Sequence, residues 1–182
     1  MSKKIIFFDV DGTLTDAQGR VSESYAHALR YIAQFVPLYL ATSLSMQQAR
    51  RKLGKTLFSL FEGGVFADGG LLVYGGQSRC MPVELLLDIN EESAKITAHS
   101  YEGQVYKYSM LVYDKEERIN ILSRLKEKPY QVFYKPPLIT VIHKEVDKRK
   151  GVLHICKALA FPLDQVSVSY THLRAHETAA NL

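Results

Sequence analysis

An α/β fold, a parallel sheet interrupted by an inserted α+β segment, is predicted by three features of this chain. A continuous apolar run opens it, strand-like and helix-like segments alternate through its first third, and a long stretch of different character precedes a late return to that rhythm. Its 182 residues, 47% of them apolar, suffice for one core carrying a modest insertion.

Lys4–Phe8 (KIIFF) is rich in strand formers on both faces, as a strand buried in a parallel sheet requires. Asp9-Val10-Asp11-Gly12-Thr13 follows at once and therefore lies on the loop after that strand. Ser22 is a helix cap, and Leu29, Ile32, Ala33 and Val36 carry the helical spacing behind it. Leu38–Ala41 reads as the second buried strand, with Thr42 and Ser43 at its carboxyl end. Ser45 caps a further helix, which should run to about Leu53 and stop before Gly54. Beyond Gly63-Gly64 the apolar pieces either side of Asp68-Gly69-Gly70 predict two short strands and a tight turn.

Residues 1–76 thus form the first part of the core. Residues 77–137 have their own mixture: a strand at Tyr106–Tyr113, an amphipathic helix at Glu116–Lys126 and a strand at Gln131–Tyr134. They read as the inserted α+β segment. The second part of the core is assigned to residues 138–166, with a strand at Leu138–His143 and a helix at Gly151–Ala160 that places Val152, Ile155, Cys156 and Leu159 on one face. Phe161-Pro162 ends that helix, and a further strand begins near Asp164-Gln165-Val166.

The formal charge of +4 and pI near 9.0 raise the question of an anionic polymer as partner. The basic residues are scattered, however, and the densest run, Lys144–Lys150 (KEVDKRK), also holds two acids. A nucleic-acid footprint needs a stripe interleaved with aromatics, so no nucleic-acid partner is expected. No segment approaches the roughly 18 uninterrupted apolar residues of a membrane span, and the start resembles neither a signal peptide nor an anchor. Cys80 and Cys156 lie far apart without partners at metal-ligand spacing, which predicts a reduced, cytoplasmic chain.

Two aspartates one residue apart, directly after a buried strand, put both carboxylates at the crevice where open α/β sheets bind ligands. One can attack phosphorus as a nucleophile, and the other can protonate the leaving oxygen and later deprotonate water. Gly12 lets the backbone turn sharply. Two acids and a phosphate in one small site call for a divalent cation, and Mg²⁺ with oxygen ligands suits them.

The run Asp9-Val10-Asp11-Gly12-Thr13-Leu14 matches the DxDGT(L) signature, and by it the chain resembles the haloacid dehalogenase (HAD) superfamily of hydrolases. The resemblance implies a Rossmann-like core and makes Asp9 the nucleophile and a metal ligand. It makes Asp11 the general acid/base, whose carbonyl also meets the metal. It places Thr42 on a phosphoryl oxygen, with Gly12, Thr13 and Ser43 at the substrate, although Thr42-Ser43-Leu44 stands where the Cof-like branch has threonine-glycine-arginine. Lys150-Gly151 matches the charge-neutralising lysine, with Lys148 its nearest competitor. The insertion after the second motif resembles the C2-type caps of Cof-like (HAD-IIB) sugar phosphatases, which implies a small phosphorylated metabolite as partner and Mg²⁺ as cofactor.

The fourth motif of that family, Gly-Asp followed by Asn-Asp, does not follow the strand at Asp164. Val168–Thr178 (VSYTHLRAHET) instead back-translates into a transposase sequencing adapter, so residues 167–182 are expected to be a non-native tail and the core to be incomplete. His172, His176 and Glu177 are accordingly not expected to bind metal. The expected reaction is Mg²⁺-dependent hydrolysis of a small phosphate monoester through an aspartyl phosphate, weak or lost in this chain and intact in its parent. A phosphosugar mutase and a non-catalytic binding module of the same architecture are the alternatives.

Overall fold

The computed structural model describes residues 4–86, 89 and 93–169. They fall into two compact units, one running to Arg79 and resuming at Asp147, the other comprising Cys80–Val146.

In the first unit the chain order is β1 (Ile5–Phe8), α1 (Glu23–Ile32), β2 (Leu38–Ala41), α2 (Met46–Phe58), β3 (Phe61–Phe66), β4 (Leu71–Tyr74) and β5 (Gln77–Cys80), then α4 (Lys148–Ala158) and β10 (Val166–Ser169). The sheet order is β10-β1-β2-β3-β4-β5. β10, β1, β2 and β3 are mutually parallel neighbours, and β4 turns back antiparallel to β3. The parallel sheet, the opening strands and the hairpin around residues 67–70 therefore agree with the sequence reading.

All four residues of β2 are buried, as continuous apolar composition requires of a strand covered on both faces. Ile5, Phe7, Tyr39, Ala41, Val65 and Leu72 join Val152, Ile155 and Cys156 of α4 in one core. Strand residues of opposite parity turn the other way, and Phe66 sets its ring 6.4 Å from that of Phe58 on α2.

Both serine caps are realised. Ser22 accepts from the Tyr25 N–H, and Ser45 forms a reciprocal capping box with Gln48. At Gly54 the φ of 75° breaks α2, where the sequence predicts its end, and one further turn leads to Phe58.

Gly151 lets α4 lie close to the sheet. A Cβ there would stand 2.7 Å from Val65 Cγ1 and 3.0 Å from Leu72 Cδ2. Val65 is β-branched and held in the core, so it yields poorly. Gly151→Ala is therefore expected to lower stability by about 1–2 kcal/mol despite the better helix propensity of alanine, read as a fall in the urea midpoint at unchanged slope.

The second unit contains β6 (Lys95–Tyr101), β7 (Gln104–Leu111), α3 (Lys115–Lys126), β8 (Tyr130–Lys135) and β9 (Leu138–His143). Its strands form an antiparallel sheet in the order β6-β7-β9-β8. Ile121 and Leu125 of α3 pack with Met110, Val112, Ile139 and Val141.

One expectation changes here. Leu138–His143, assigned from sequence to the resumed core, pairs with β7 and β8 and belongs to the second unit, so the first unit resumes only at Asp147. Ser167–Ser169, where the expected non-native tail begins, continue β10 and pair with Ile6–Phe8. The remainder of that assignment, residues 170–182, lies outside the described residues. Among the described residues no helix is long and apolar enough to cross a membrane.

Candidate active site

Three loops of the first unit meet beyond the carboxyl ends of β1, β2 and β3. The first follows β1. Val10 is fully buried, its carbonyl accepts from the Leu14 and Thr15 N–H groups and from the Thr15 hydroxyl, and Gly12 takes a φ of 73° inside the turn. This knot anchors Asp9 and Asp11 on either side of a residue that is itself immobilised by the core.

Asp9 Oδ1 accepts from the Val10 N–H at 2.8 Å, and Oδ2 lies 3.6 Å from Lys148 Nζ. Desolvation nevertheless dominates and raises the Asp9 pKa from its ordinary value of 3.8, with the Asp11 charge adding to it and Lys148 and the Val10 N–H opposing it. Asp11 is more open, and its carboxylate is paired with the Lys52 ammonium of α2. The two carboxylates thus occupy different environments one residue apart.

Thr42 lies at the carboxyl end of β2, fully buried. Its N–H donates to the Val65 carbonyl at 2.9 Å, and its Oγ1 accepts from the Leu44 N–H at 3.1 Å. Thr42 therefore orders the loop, while its neighbour Ser43 is the exposed hydroxyl. Thr13 is buried and Gly12 exposed.

The third loop, Ala67–Gly69, was legible only as a tight turn, yet it brings a further acid to the site. The Asp68 N–H donates to the Thr42 carbonyl at 3.2 Å, and Asp68 Oδ1 lies 3.7 Å from Lys148 Nζ. One ammonium is thereby shared by Asp9 and Asp68.

The lysine brought to Asp9 is Lys148, and the expectation for Lys150 is corrected accordingly. Asp147 caps α4 by accepting from the Lys150 N–H, so the helix starts at Lys148. Positions two apart on a helix do not share a face. Lys148 lies on the stripe of Gly151, Val152 and Ile155, which packs on the sheet, whereas Lys150 is exposed and its ammonium pairs with no described residue.

The hard oxygens of Asp9 and Asp11 suit Mg²⁺, and the desolvated charge of Asp9 would gain from a bound cation. Among the described residues no group of three or more His, Cys, Asp or Glu is placed to hold a metal. The donors expected from the sequence, the Asp9 carboxylate and the Asp11 carbonyl, are the small number of protein oxygens with which Mg²⁺ binds alongside substrate phosphate and water. His172, His176 and Glu177 lie outside the described residues.

No family model matches the sequence, and no curated protein does. Solved structures do match the fold. A haloacid dehalogenase-like hydrolase from Bacteroides thetaiotaomicron superposes with a TM-score of 0.73 at 15% identity, over 92% of this chain and 81% of that one. A hypothetical protein from Geobacillus kaustophilus gives 0.68 at 18%, over 92% and 79%. A sugar phosphatase of HAD subclass IIB gives 0.62 at 15%, over 91% and 80%.

Proposed function

We propose, from a fold shared with haloacid dehalogenase-like hydrolases, that this chain carries the phosphoryl-transfer site of a phosphatase acting on small phosphate monoesters through an aspartyl phosphate. The carrying observation is the half-buried Asp9 carboxylate at the tip of a parallel strand, with an ammonium 3.6 Å away and a second, more open carboxylate one residue on. Sugar phosphates are the favoured substrates because one neighbour in fold is described as a sugar phosphatase.

In this reading an Asp9 carboxylate oxygen attacks phosphorus as the bond from phosphorus to the ester oxygen breaks. Asp11, in the protonated form that has parted from Lys52, gives its proton to the departing alkoxide, which leaves as an alcohol. Water then attacks phosphorus, Asp11 takes the water's proton, and cleavage of the phosphorus–oxygen bond to Asp9 releases phosphate and restores the carboxylate. Lys148 offsets the negative charge gathered on the phosphoryl oxygens, Ser43 offers them an exposed hydroxyl, and Thr42 holds the shape of that loop. Mg²⁺, held by Asp9 and Asp11, would neutralise charge on the phosphate.

The test is an assay of a panel of sugar phosphates and other monoesters with Mg²⁺ and with chelator, on the protein expressed from the full open reading frame. Phosphate release is expected with Mg²⁺ and should fall by at least about 100-fold with chelator, the scale of several kcal/mol of charge stabilisation. Isomerised phosphosugar without free phosphate would indicate a mutase, and binding without turnover a module that keeps the fold but not the reaction.

A further inference from the structure

We propose that Asp68 is a positioning residue for phosphoryl transfer: its carboxylate holds the Lys148 ammonium against Asp9 while the charge on Asp9 changes. This rests on the phosphoryl-transfer reading of the site and adds to it a residue that no sequence motif singles out.

Lys148 Nζ lies 3.6 Å from Asp9 Oδ2 and 3.7 Å from Asp68 Oδ1, so neither carboxylate holds it alone. The cycle gives the second contact a role. When Asp9 takes the phosphoryl group, its carboxylate becomes an acyl phosphate and the charge facing the lysine moves outward onto the phosphoryl oxygens. Asp68 forms no bond to phosphorus and keeps its charge throughout. A long, flexible ammonium tethered by it stays where the phosphoryl oxygens accumulate charge, instead of swinging into water.

The backbone presents Asp68 rigidly. Ala67, Asp68 and Gly69 take φ of 49°, 53° and 111°, a left-handed run uncommon for residues with a Cβ. Hydrogen bonds fix it to the Thr42 loop, from the Ala67 N–H to the Leu44 carbonyl at 2.8 Å and from the Asp68 N–H to the Thr42 carbonyl. On its other side a Cβ at Gly69 would stand 3.0 Å from the Asp147 carbonyl oxygen, so the turn lies against the residue that caps the helix of Lys148. The loop thus ties the end of β2 to the start of α4, and Asp68 is the side chain through which it reaches the lysine.

Asparagine is the discriminating replacement. It adopts left-handed backbone as readily as aspartate and has nearly the same shape, so a purely structural role survives Asp68→Asn. A role played through charge on Lys148 does not. We expect Asp68→Asn to unfold at the wild-type urea concentration and to lower kcat about 10-fold, with KM changed by less than about threefold. In a Lys148→Ala background the same substitution should change kcat by less than about twofold, because the group it positions is gone. Unchanged kcat in the single variant, or an equal loss in both backgrounds, would overturn the proposal while leaving the phosphatase reading intact. The protein expressed from the full open reading frame, if it turns over no monoester with Mg²⁺, would overturn that reading and the positioning role with it.

Discussion

Asp9→Asn is expected to lower phosphatase turnover by at least about 10⁴-fold, equivalent to about 5 kcal/mol of transition-state stabilisation, while leaving the metal-free protein more stable than wild type at neutral pH. The first effect follows from the chemistry, since an amide oxygen cannot form the acyl phosphate. The second follows from the desolvation that raises the Asp9 pKa. A carboxyl whose folded pKa is raised binds its proton more tightly folded than unfolded. Raising the pH from the ordinary value of 3.8 through the folded value therefore costs stability, and above the folded value that cost is complete. Asparagine carries no charge to desolvate. Urea unfolding of the two proteins should show a higher midpoint for the variant at pH 7, with the gap closing as the pH falls below the ordinary carboxylate range. Mg²⁺ should raise the thermal midpoint of wild type more than that of the variant, because binding that favours the folded state stabilises it by mass action. A variant with wild-type turnover would remove Asp9 from the chemistry.

Lys148→Ala is expected to reduce kcat/KM by about 10²–10³-fold, and Lys150→Ala by less than about threefold. The larger figure is that for loss of one donor aimed at developing oxyanion charge, about 2.7–4 kcal/mol. The contrast between the two lysines is the informative measurement, since they are close in sequence and only one faces Asp9. The pH dependence supplies a second readout. Lys148 is the largest influence holding the Asp9 pKa down against burial, so its removal should shift the acid limb of kcat/KM to higher pH. Equal losses in the two variants, or a larger loss at Lys150, would return the role to the position favoured by the family motif.

The distinction between the lysines was present in the sequence but was masked by a local pattern. Lys-Gly at residues 150–151 resembles a known motif, yet Asp147 followed by a helical run already marks the cap and so fixes Lys148 on the face of Val152 and Ile155. Elements whose signal is local were legible: β1 and β2 from continuous apolar composition, the caps at Ser22 and Ser45, the break at Gly54 and the hairpin around residue 68. β6 was not, because its apolar residues Ile96 and Ala98 are sparse among polar ones and its pairing with β7 is a tertiary fact. Leu138–His143 was found as a strand but placed in the wrong sheet, since an apolar run records burial and not the identity of its neighbours. Asp68 looked like turn chemistry, which it is. Its second role depends on a lysine far away in the chain and has no local signature.

The order of strands carries a consequence for biosynthesis. β1 leads directly into Asp9, the proposed nucleophile, but its neighbours in the sheet are β2 and β10, and Lys148 arrives only with α4. A ribosome-bound fragment ending before α4 can compact its second unit, whose antiparallel strands are close in sequence, yet has no ammonium to set beside Asp9. The proposed phosphoryl-transfer site is thus completed only after the second unit has been made, and a fragment released before then would present its acidic loop without the Lys148 ammonium that balances it.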